Sequence, residues 1–313
     1  DRVNAKPPFM VSDSTFSIVT WNIGFGGLGA ESDFFYDGGK MVRTSKKNLN
    51  KNMTGILDAC GSFNTDFICL QEVDSFSKRS YFKNQVDQIS QKLANYEYIF
   101  SKNYKVKFVP LPLLKPLGKI NSGIMTLSKL PTTYQERHDY GSEGKWPNST
   151  FMLTRCFHKI HVPLIRGKDL VIINVHNSAY DPDGSMKKTE MDILMPYIYD
   201  LYENGHYVVV AGDWNQCTPD YETKGKEEQF NEFKFSDDFL NDGWEWCADV
   251  SGVTNRKLNQ PYNAESSYTS NIDYCLVSPN LEVISKEIIN QDFEFSDHMP
   301  FKMSFRLKPE IGS

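Results

Sequence analysis

Tyr207-Val208-Val209-Val210-Ala211-Gly212-Asp213-Trp214-Asn215 is an apolar, β-branched run that stops in Gly-Asp-x-Asn. The run is strand-sized and too short for an ordinary helix, so it reads as a buried strand whose end presents a carboxylate and an amide. A turn in which Asp and Asn bond their own backbone would use the same letters. Working outward, the pattern repeats. Val171-Ile172-Ile173-Asn174-Val175-His176 ends a buried run in a histidine, Phe67-Ile68-Cys69-Leu70-Gln71-Glu72 in an amide and a carboxylate, and Ile18-Val19-Thr20-Trp21-Asn22 in an amide. Toward the C-terminus, Asn271-Ile272-Asp273-Tyr274-Cys275-Leu276-Val277 sets an aspartate in an apolar run, where it is costly unless partnered. Asp297-His298 precedes Met299-Pro300-Phe301 and the final strand. Pairing Asp273 with His298 would meet the burial cost and fix the imidazole's orientation and protonation.

Further strand-like runs occupy residues 98–100, 123–127 and 301–305. Between them, Leu49, Met53, Ile56, Leu57 and Cys60, then Phe82, Val86, Ile89 and Leu93, recur at helical spacing. A third helix is expected over residues 186–202, with a kink or early break at Pro196. Strands and helices mixed without a strict βαβ rhythm predict packed sheets flanked by helices, not one doubly wound parallel sheet. Residues 24–43, 103–121, 137–149 and 217–244 read as long loops, which often carry binding functions. Trp146, Trp244 and Trp246 lie in or beside them, to stack on a ligand or to cover the core edge.

The chain has 313 residues, 40% hydrophobic and 24% charged, enough to bury a sizeable core and too apolar for disorder. Its net charge of −6 and pI near 5.6 create no global positive field, which weighs against nucleic acid as a partner. Locally, Lys102, Lys105, Lys107, Lys115 and Lys119 crowd one Pro-rich stretch, fit to bind phosphate or simply to be solvated. No apolar run approaches the roughly 20 residues of a membrane helix. Residues 1–15 form a polar lead with Pro7-Pro8, consistent with an extracytoplasmic protein tethered through a removed segment, and equally with an arbitrary boundary. A single domain is expected over residues 16–308, followed by a short tail at 309–313. Six cysteines show no CxxC pair or metal-ligand spacing and leave the redox compartment open, Cys69 and Cys275 reading as buried thiols.

Hydrolysis of a phosphate ester needs a cation on the phosphoryl oxygens, a positioned water and groups that stabilise developing charge. Hard cations are held by one or two carboxylates with water and substrate completing the shell, so their signature is carboxylates scattered over strand ends. Trp21-Asn22, Gln71-Glu72, Asn121-Ser122-Gly123, Asn174-x-His176, Gly212-Asp213-x-Asn215, Ile272-Asp273-Tyr274 and Ser296-Asp297-His298 supply that signature across nearly the whole chain. In this order they resemble the endonuclease/exonuclease/phosphatase superfamily, also called DNase-I-like.

The resemblance implies an α/β (α+β) fold: a four-layer sandwich of two mainly antiparallel sheets with helices outside. It implies Glu72 as principal metal ligand, with Asn22 and Asp297 beside the metal or its waters, the metal being Mg²⁺ or alternatively Mn²⁺. Asp213 and Asn215 would position and activate water, His298 oriented by Asp273 would contact the scissile phosphate, and His176 would hold another phosphoryl oxygen. Asn121 fits a further phosphate or backbone contact. Phe34-Phe35-Tyr36-Asp37-Gly38-Gly39-Lys40, followed by Arg43, is similar to a loop of poorly characterised bacterial branches, and such branches imply an extracytoplasmic location. Arg43 and Lys107 are expected on the substrate rim, because their segments enter elements that deliver site residues. The implied activity is metal-dependent hydrolysis, by a monomer, of a phosphodiester or phosphomonoester other than long duplex DNA. A DNA or RNA nuclease is the alternative, distinguishable by strong salt dependence. An inactive phosphate-binding scaffold is disfavoured because every core position keeps the expected residue type. A lipid-directed enzyme lacks an evident membrane-contacting hairpin in the sequence. Gly24-Phe25-Gly26-Gly27-Leu28-Gly29 lacks the spacing of a dinucleotide loop.

Overall fold

Alternation along the first strand sets the layers. In the computed structural model, which describes residues 10–12, 14–141, 155–165, 167–179, 181, 184–222 and 234–309, Phe16 and Ile18 of β1 (Thr15–Asn22) enter one apolar core while Val19 and Trp21 enter another. This is the two-residue period of a strand buried on both faces. β2 (Phe67–Asp74) repeats it, with Phe67 and Cys69 on one side and Ile68 and Leu70 on the other. Helices α1 (Lys46–Ser62) and α2 (Gln85–Lys92) lay Leu49, Met53, Ile56, Val86 and Ile89 onto the outer side. The Ser45 hydroxyl caps α1 by accepting the Asn48 N–H at 3.1 Å.

β1 and β2 belong to a six-stranded sheet with β3 (Glu97–Val109), β4 (Gly118–Ser128), β13 (Leu281–Ile288) and β14 (Phe301–Leu307), in the order β13-β14-β1-β2-β4-β3. The second six-stranded sheet orders β5 (Tyr134–Asp139), β6 (Cys156–Pro163), β7 (Asp169–His176), β8 (Tyr207–Asp213), β9 (Glu245–Cys247) and β12 (Asp273–Val277) as β5-β6-β7-β8-β12-β9. Only β1–β2 and β7–β8 pair in parallel within these two sheets. A short ribbon, β10 (Asn255–Arg256) with β11 (Thr269–Ser270), stands apart. The inner faces share one core, and α3 (Ser185–Glu203) covers the second sheet with Met191, Leu194 and Ile198. The result is the four-layer α+β sandwich. No helix is long and apolar enough to cross a membrane among the described residues.

Two expectations need correction. Helix α3 runs unbroken through Pro196, which sits on its exposed side, so the carbonyl of Asp192 that loses its donor is left on a solvated face. The stretch 103–121 is largely hairpin, not loop: β3 and β4 pair from Glu97–Ser128 to Val109–Gly118, burying Val106, Val109 and Ile120 while Lys105, Lys107 and Lys119 face solvent. Of the two roles read for the tryptophans, core cover holds for Trp244, which packs on Tyr199 and Tyr202, and for Trp246, which packs on Trp214 and Phe235. Trp146 and residues 223–233 lie outside the described residues, as do 1–9 and 310–313. All six cysteines are buried and free.

Candidate active site

The parallel pairs of the two sheets end side by side at one rim of the sandwich. β7 and β8 are in register at His176–Asp213, and β12 places Asp273 directly opposite Asp213. Two carboxylates facing across a buried ladder repel one another unless a cation intervenes, and His298 supplies it. Its Nδ1 lies 2.7 Å from Asp273 Oδ2, and its Nε2 lies 3.8 Å from Asp213 Oδ2 and 4.0 Å from Asp297 Oδ2. Burial opposes the imidazolium, but Asp273 and Asp213 outweigh it and lift the His298 pKa to about 10. Asp273 is raised by burial, against the pull of His298, to about 6. Both partners are therefore charged at neutral pH. Asn255 Nδ2 lies 2.9 Å from His298 Nε2. With the ring cationic both atoms carry hydrogens, so the amide is to be turned to present its oxygen.

Asn22 joins the sheets: its Nδ2 donates to Asp213 Oδ2 at 2.9 Å and its Oδ1 accepts the Gly24 N–H at 3.0 Å. Asn215, in the left-handed region at φ 51°, donates its N–H to Asp213 Oδ1 at 3.0 Å and its side-chain amide to the Asn177 carbonyl at 2.9 Å. The segment carrying Asp297 and His298 is pinned to β1, since Trp21 Nε1 donates to the His298 carbonyl and Ser296 Oγ donates to the Asn22 carbonyl. Gly24 must be glycine: its φ is 47°, and a Cβ there would lie 2.6 Å from Asp297 Oδ1. His176 Nε2 stands 3.5 Å from Asp213 Oδ2 while its Nδ1 is buried without a partner. Burial, reinforced by Arg155 and His298, drives its pKa well below the ordinary histidine value, so it is neutral. Two histidines at one rim are thus held in opposite charge states.

Glu72 does not end its strand. β2 continues to Asp74 through a bulge between Leu70 and Val73, and Glu72 takes φ 54°, a rare conformation for an L residue that re-aims its side chain. Arg79 Nη2 lies 3.5 Å from Glu72 and 3.0 Å from the fully buried Asp74, with the guanidinium 3.8 Å over the Phe25 ring. Burial raises the Asp297 pKa to about 7, with His298 opposing and the charge of Glu72 adding to the rise. Glu72, Asp297 and the Asn22 amide offer oxygen donors of the kind a hard divalent cation takes, with Arg79 and His298 balancing part of the carboxylate charge. Asp213, Asp273 and His298 also bring ligand atoms within 4.8 Å of one another, but there the imidazolium already balances the carboxylates. A second such group, His161, Asp169 and His206, lies near the other ends of β6 and β7 and just before β8.

Asn22, His176, Asp213, Asn215, Asp273, Asp297 and His298 are therefore brought together directly, and Glu72 lies near enough for its charge to raise the Asp297 pKa. Asn121 instead anchors the loop after β2: its Nδ2 donates to Ser75 Oγ at 2.8 Å and its carbonyl accepts the Ser75 N–H, leaving Oδ1 buried without a partner. Arg43 donates to the Lys78 carbonyl at 3.0 Å and lines a cavity with Arg79. Lys107 is exposed on β3 and makes no bond to the site. Sequence reading missed four residues. Arg79 and Asn255 lack any flanking apolar pattern, Arg155 interrupts the apolar stretch from Phe151 to Phe157, and Asn177 was signalled by adjacency to His176. Arg155 is buried with Nε and Nη1 unpartnered, and both polar atoms of the Asn177 side chain are likewise orphaned.

A model described as the endonuclease/exonuclease/phosphatase family matches residues 19–298. No curated protein matches the chain by sequence. Among solved structures, the fold is similar to an endonuclease/exonuclease/phosphatase from Beutenbergia cavernae DSM 12333, at 16% identity and TM-score 0.61 over 95% of this chain and 72% of that one. It is similar to another from Bacteroides vulgatus, at 17% identity and TM-score 0.60 over 95% and 100%. D. rerio TDP2 complexed with a single-strand DNA product aligns at 14% identity and TM-score 0.60 over 94% and 100%. At these identities the likeness concerns the fold.

Proposed function

The chain belongs to the endonuclease/exonuclease/phosphatase family, whose members are generally hydrolases acting on phosphate esters, and from that premise we propose that it hydrolyses a phosphodiester or phosphomonoester with water as nucleophile. The observation that carries the reading is the convergence of Asn22, His176, Asp273 and His298 on Asp213 at one rim. Asp213, with one oxygen bonded to the Asn215 N–H and the other to the Asn22 amide, accepts from and orients the attacking water. Cationic His298 neutralises charge developing on the phosphoryl group and hands a proton to the leaving oxygen, while Asp273 holds the ring in place. Neutral His176 donates to a second phosphoryl oxygen, and the unpartnered nitrogens of Arg155 supply a further clamp. Glu72 and Asp297, with Asn22 beside them, would hold Mg²⁺ or Mn²⁺, which supplies Lewis-acid polarisation of a phosphoryl oxygen when bound.

Substrates other than long duplex DNA are favoured by the net charge of −6. A nuclease is the second reading, supported by the similarity of fold to a TDP2 complexed with a single-strand DNA product. The test is hydrolysis of phosphodiesters, phosphomonoesters, phospholipids and oligonucleotides in Mg²⁺ or Mn²⁺, with EDTA and Asp213→Asn as controls. Turnover lost in both controls supports the reading. Turnover that survives Asp213→Asn removes Asp213 from the chemistry, and a silent panel from a protein that binds phosphate esters favours the scaffold. A steep fall of oligonucleotide cleavage with salt would select the nuclease.

A further inference from the structure

The acidic chain carries one face of opposite character. A cavity of about 370 Å³ beside Glu72 is lined by Lys40, Arg43, Lys78, Arg79 and Lys115, and Arg79 is the residue shared with the active site. The three segments that contribute its lining, residues 38–57, 75–86 and 101–121, contain no aspartate and no glutamate.

 Asp58 and Asp87 are the first carboxylates past the first two segments, so the lining segments themselves are free of acidic side chains. Among the described residues, none of Lys40, Arg43, Lys78, Lys105, Lys107, Lys115 and Lys119 pairs with a carboxylate. The β3–β4 tip stands at the mouth of this cavity. Its Leu113 and Leu114 are 83% and 97% exposed, with Leu111 and Phe108 half exposed behind them. Fully solvated leucines at a hairpin tip gain nothing for the fold, and apolar patches rimmed by charge mark interaction surfaces.

We infer that this face docks on an anionic phospholipid bilayer, with Leu113 and Leu114 entering the acyl boundary and the lysines contacting headgroup phosphates. The assignment to a membrane rests on charge complementarity joined to apolar insertion: either alone binds weakly, and the two together give stable interfacial binding. Because the cavity shares Arg79 with the Glu72 site, a docked headgroup lies next to the catalytic rim. This deepens the phosphoesterase reading, on which it rests, by naming membrane phosphate esters as the substrate class.

The test is co-sedimentation of the full chain, in EDTA, with phosphatidylcholine vesicles containing 30 mol% phosphatidylglycerol, about the anionic share needed to attract a basic face. Binding is expected, and it falls when the vesicles are phosphatidylcholine alone. Leu113→Glu with Leu114→Glu should abolish it; both positions are solvated, and a melting curve checks the fold. Lys78→Gln and Lys115→Gln should each weaken it about fivefold, the effect of about 1 kcal/mol per cation near an anionic surface. No binding by the unaltered chain, or equal binding by the leucine variant, overturns the proposal. Tight binding of inorganic pyrophosphate, lost in Lys78→Gln but without vesicle binding, would overturn it in favour of a soluble anion. The EDTA measurement needs no turnover, so failure of docking and failure of the hydrolase reading are read separately.

Discussion

Replacing Asp273 with asparagine keeps the shape of the buried partner of His298 and removes its charge. The rise of the His298 pKa from 6.5 to about 10 corresponds to about 5 kcal/mol of preference for the imidazolium in the folded protein. A histidine raised in this way stabilises the fold in full below its unfolded value and loses that contribution as pH climbs through about 10. Asp273 works in the opposite direction. Its pKa, raised from 3.8 to about 6, makes its buried charge cost about 3 kcal/mol, absent below 3.8 and complete above about 6. The pair therefore favours the fold by about 2 kcal/mol near pH 6, where Asp273→Asn loses about that much, and the advantage declines steadily above pH 6.5 as the unfolded chain releases a proton that folded His298 keeps. For a chain of this size the melting temperature should fall by roughly 3 °C at pH 6, and the difference should shrink as pH rises through the window from 6.5 to about 10. In EDTA, the His298 Cε1–H resonance should titrate several pH units lower in the variant than in the parent, and phosphate-ester turnover should drop at neutral pH. A variant whose His298 still titrates near pH 10, or that melts with the parent at pH 6, would refute the ion pair.

If Asp297 is a cation ligand with a pKa near 7, Mn²⁺ affinity should tighten about tenfold from pH 6 to pH 8, because the proton and the metal compete for one carboxylate. Equal affinities by calorimetry would remove Asp297 from the ligand set. Gly24→Ala should cost about 1–2 kcal/mol for the positive φ, and should weaken Mn²⁺ binding by displacing Asp297; unchanged denaturation and affinity would contradict the close contact. Arg79→Met leaves Asp74 fully buried without its guanidinium and should cost roughly 3–5 kcal/mol in chemical denaturation. A loss below about 1 kcal/mol would mean the pair is already solvated.

Much of the fold was legible because it is encoded locally. The two-sided burial of β1 and β2, the apolar runs of β7 and β8, and the helical spacing of α1 and α2 are all properties of short windows. Where local pattern misled, the cause is specific. Lysines alternating with Val106 and Ile120 looked like a solvated loop, yet they are the outer face of a hairpin whose inner face packs beneath it. β6 escaped notice because His158 and Lys159 interrupt its apolar run. In the fold His158 is fully buried, bonded to Thr126 Oγ1 at 2.7 Å, and kept neutral by burial, which lowers its pKa to about 3. Pro196 was read as a break because its position on the solvated side of α3 depends on what the helix packs against.

By itself the sequence determined the polar residues that terminate buried runs, and hence the family and the membership of the rim: Asn22, Glu72, His176, Asp213, Asn215, Asp273, Asp297 and His298. Only the tertiary structure decided which atoms meet and in which charge state. Asn22 and Asp213 are 191 residues apart and share a 2.9 Å hydrogen bond because two different sheets end at one rim. Arg79 and Asn255 reach the same region without any local pattern announcing them. His176 and His298 are the same residue type, yet one is driven neutral and the other cationic, because a pKa is set by burial and by the charges that folding brings near.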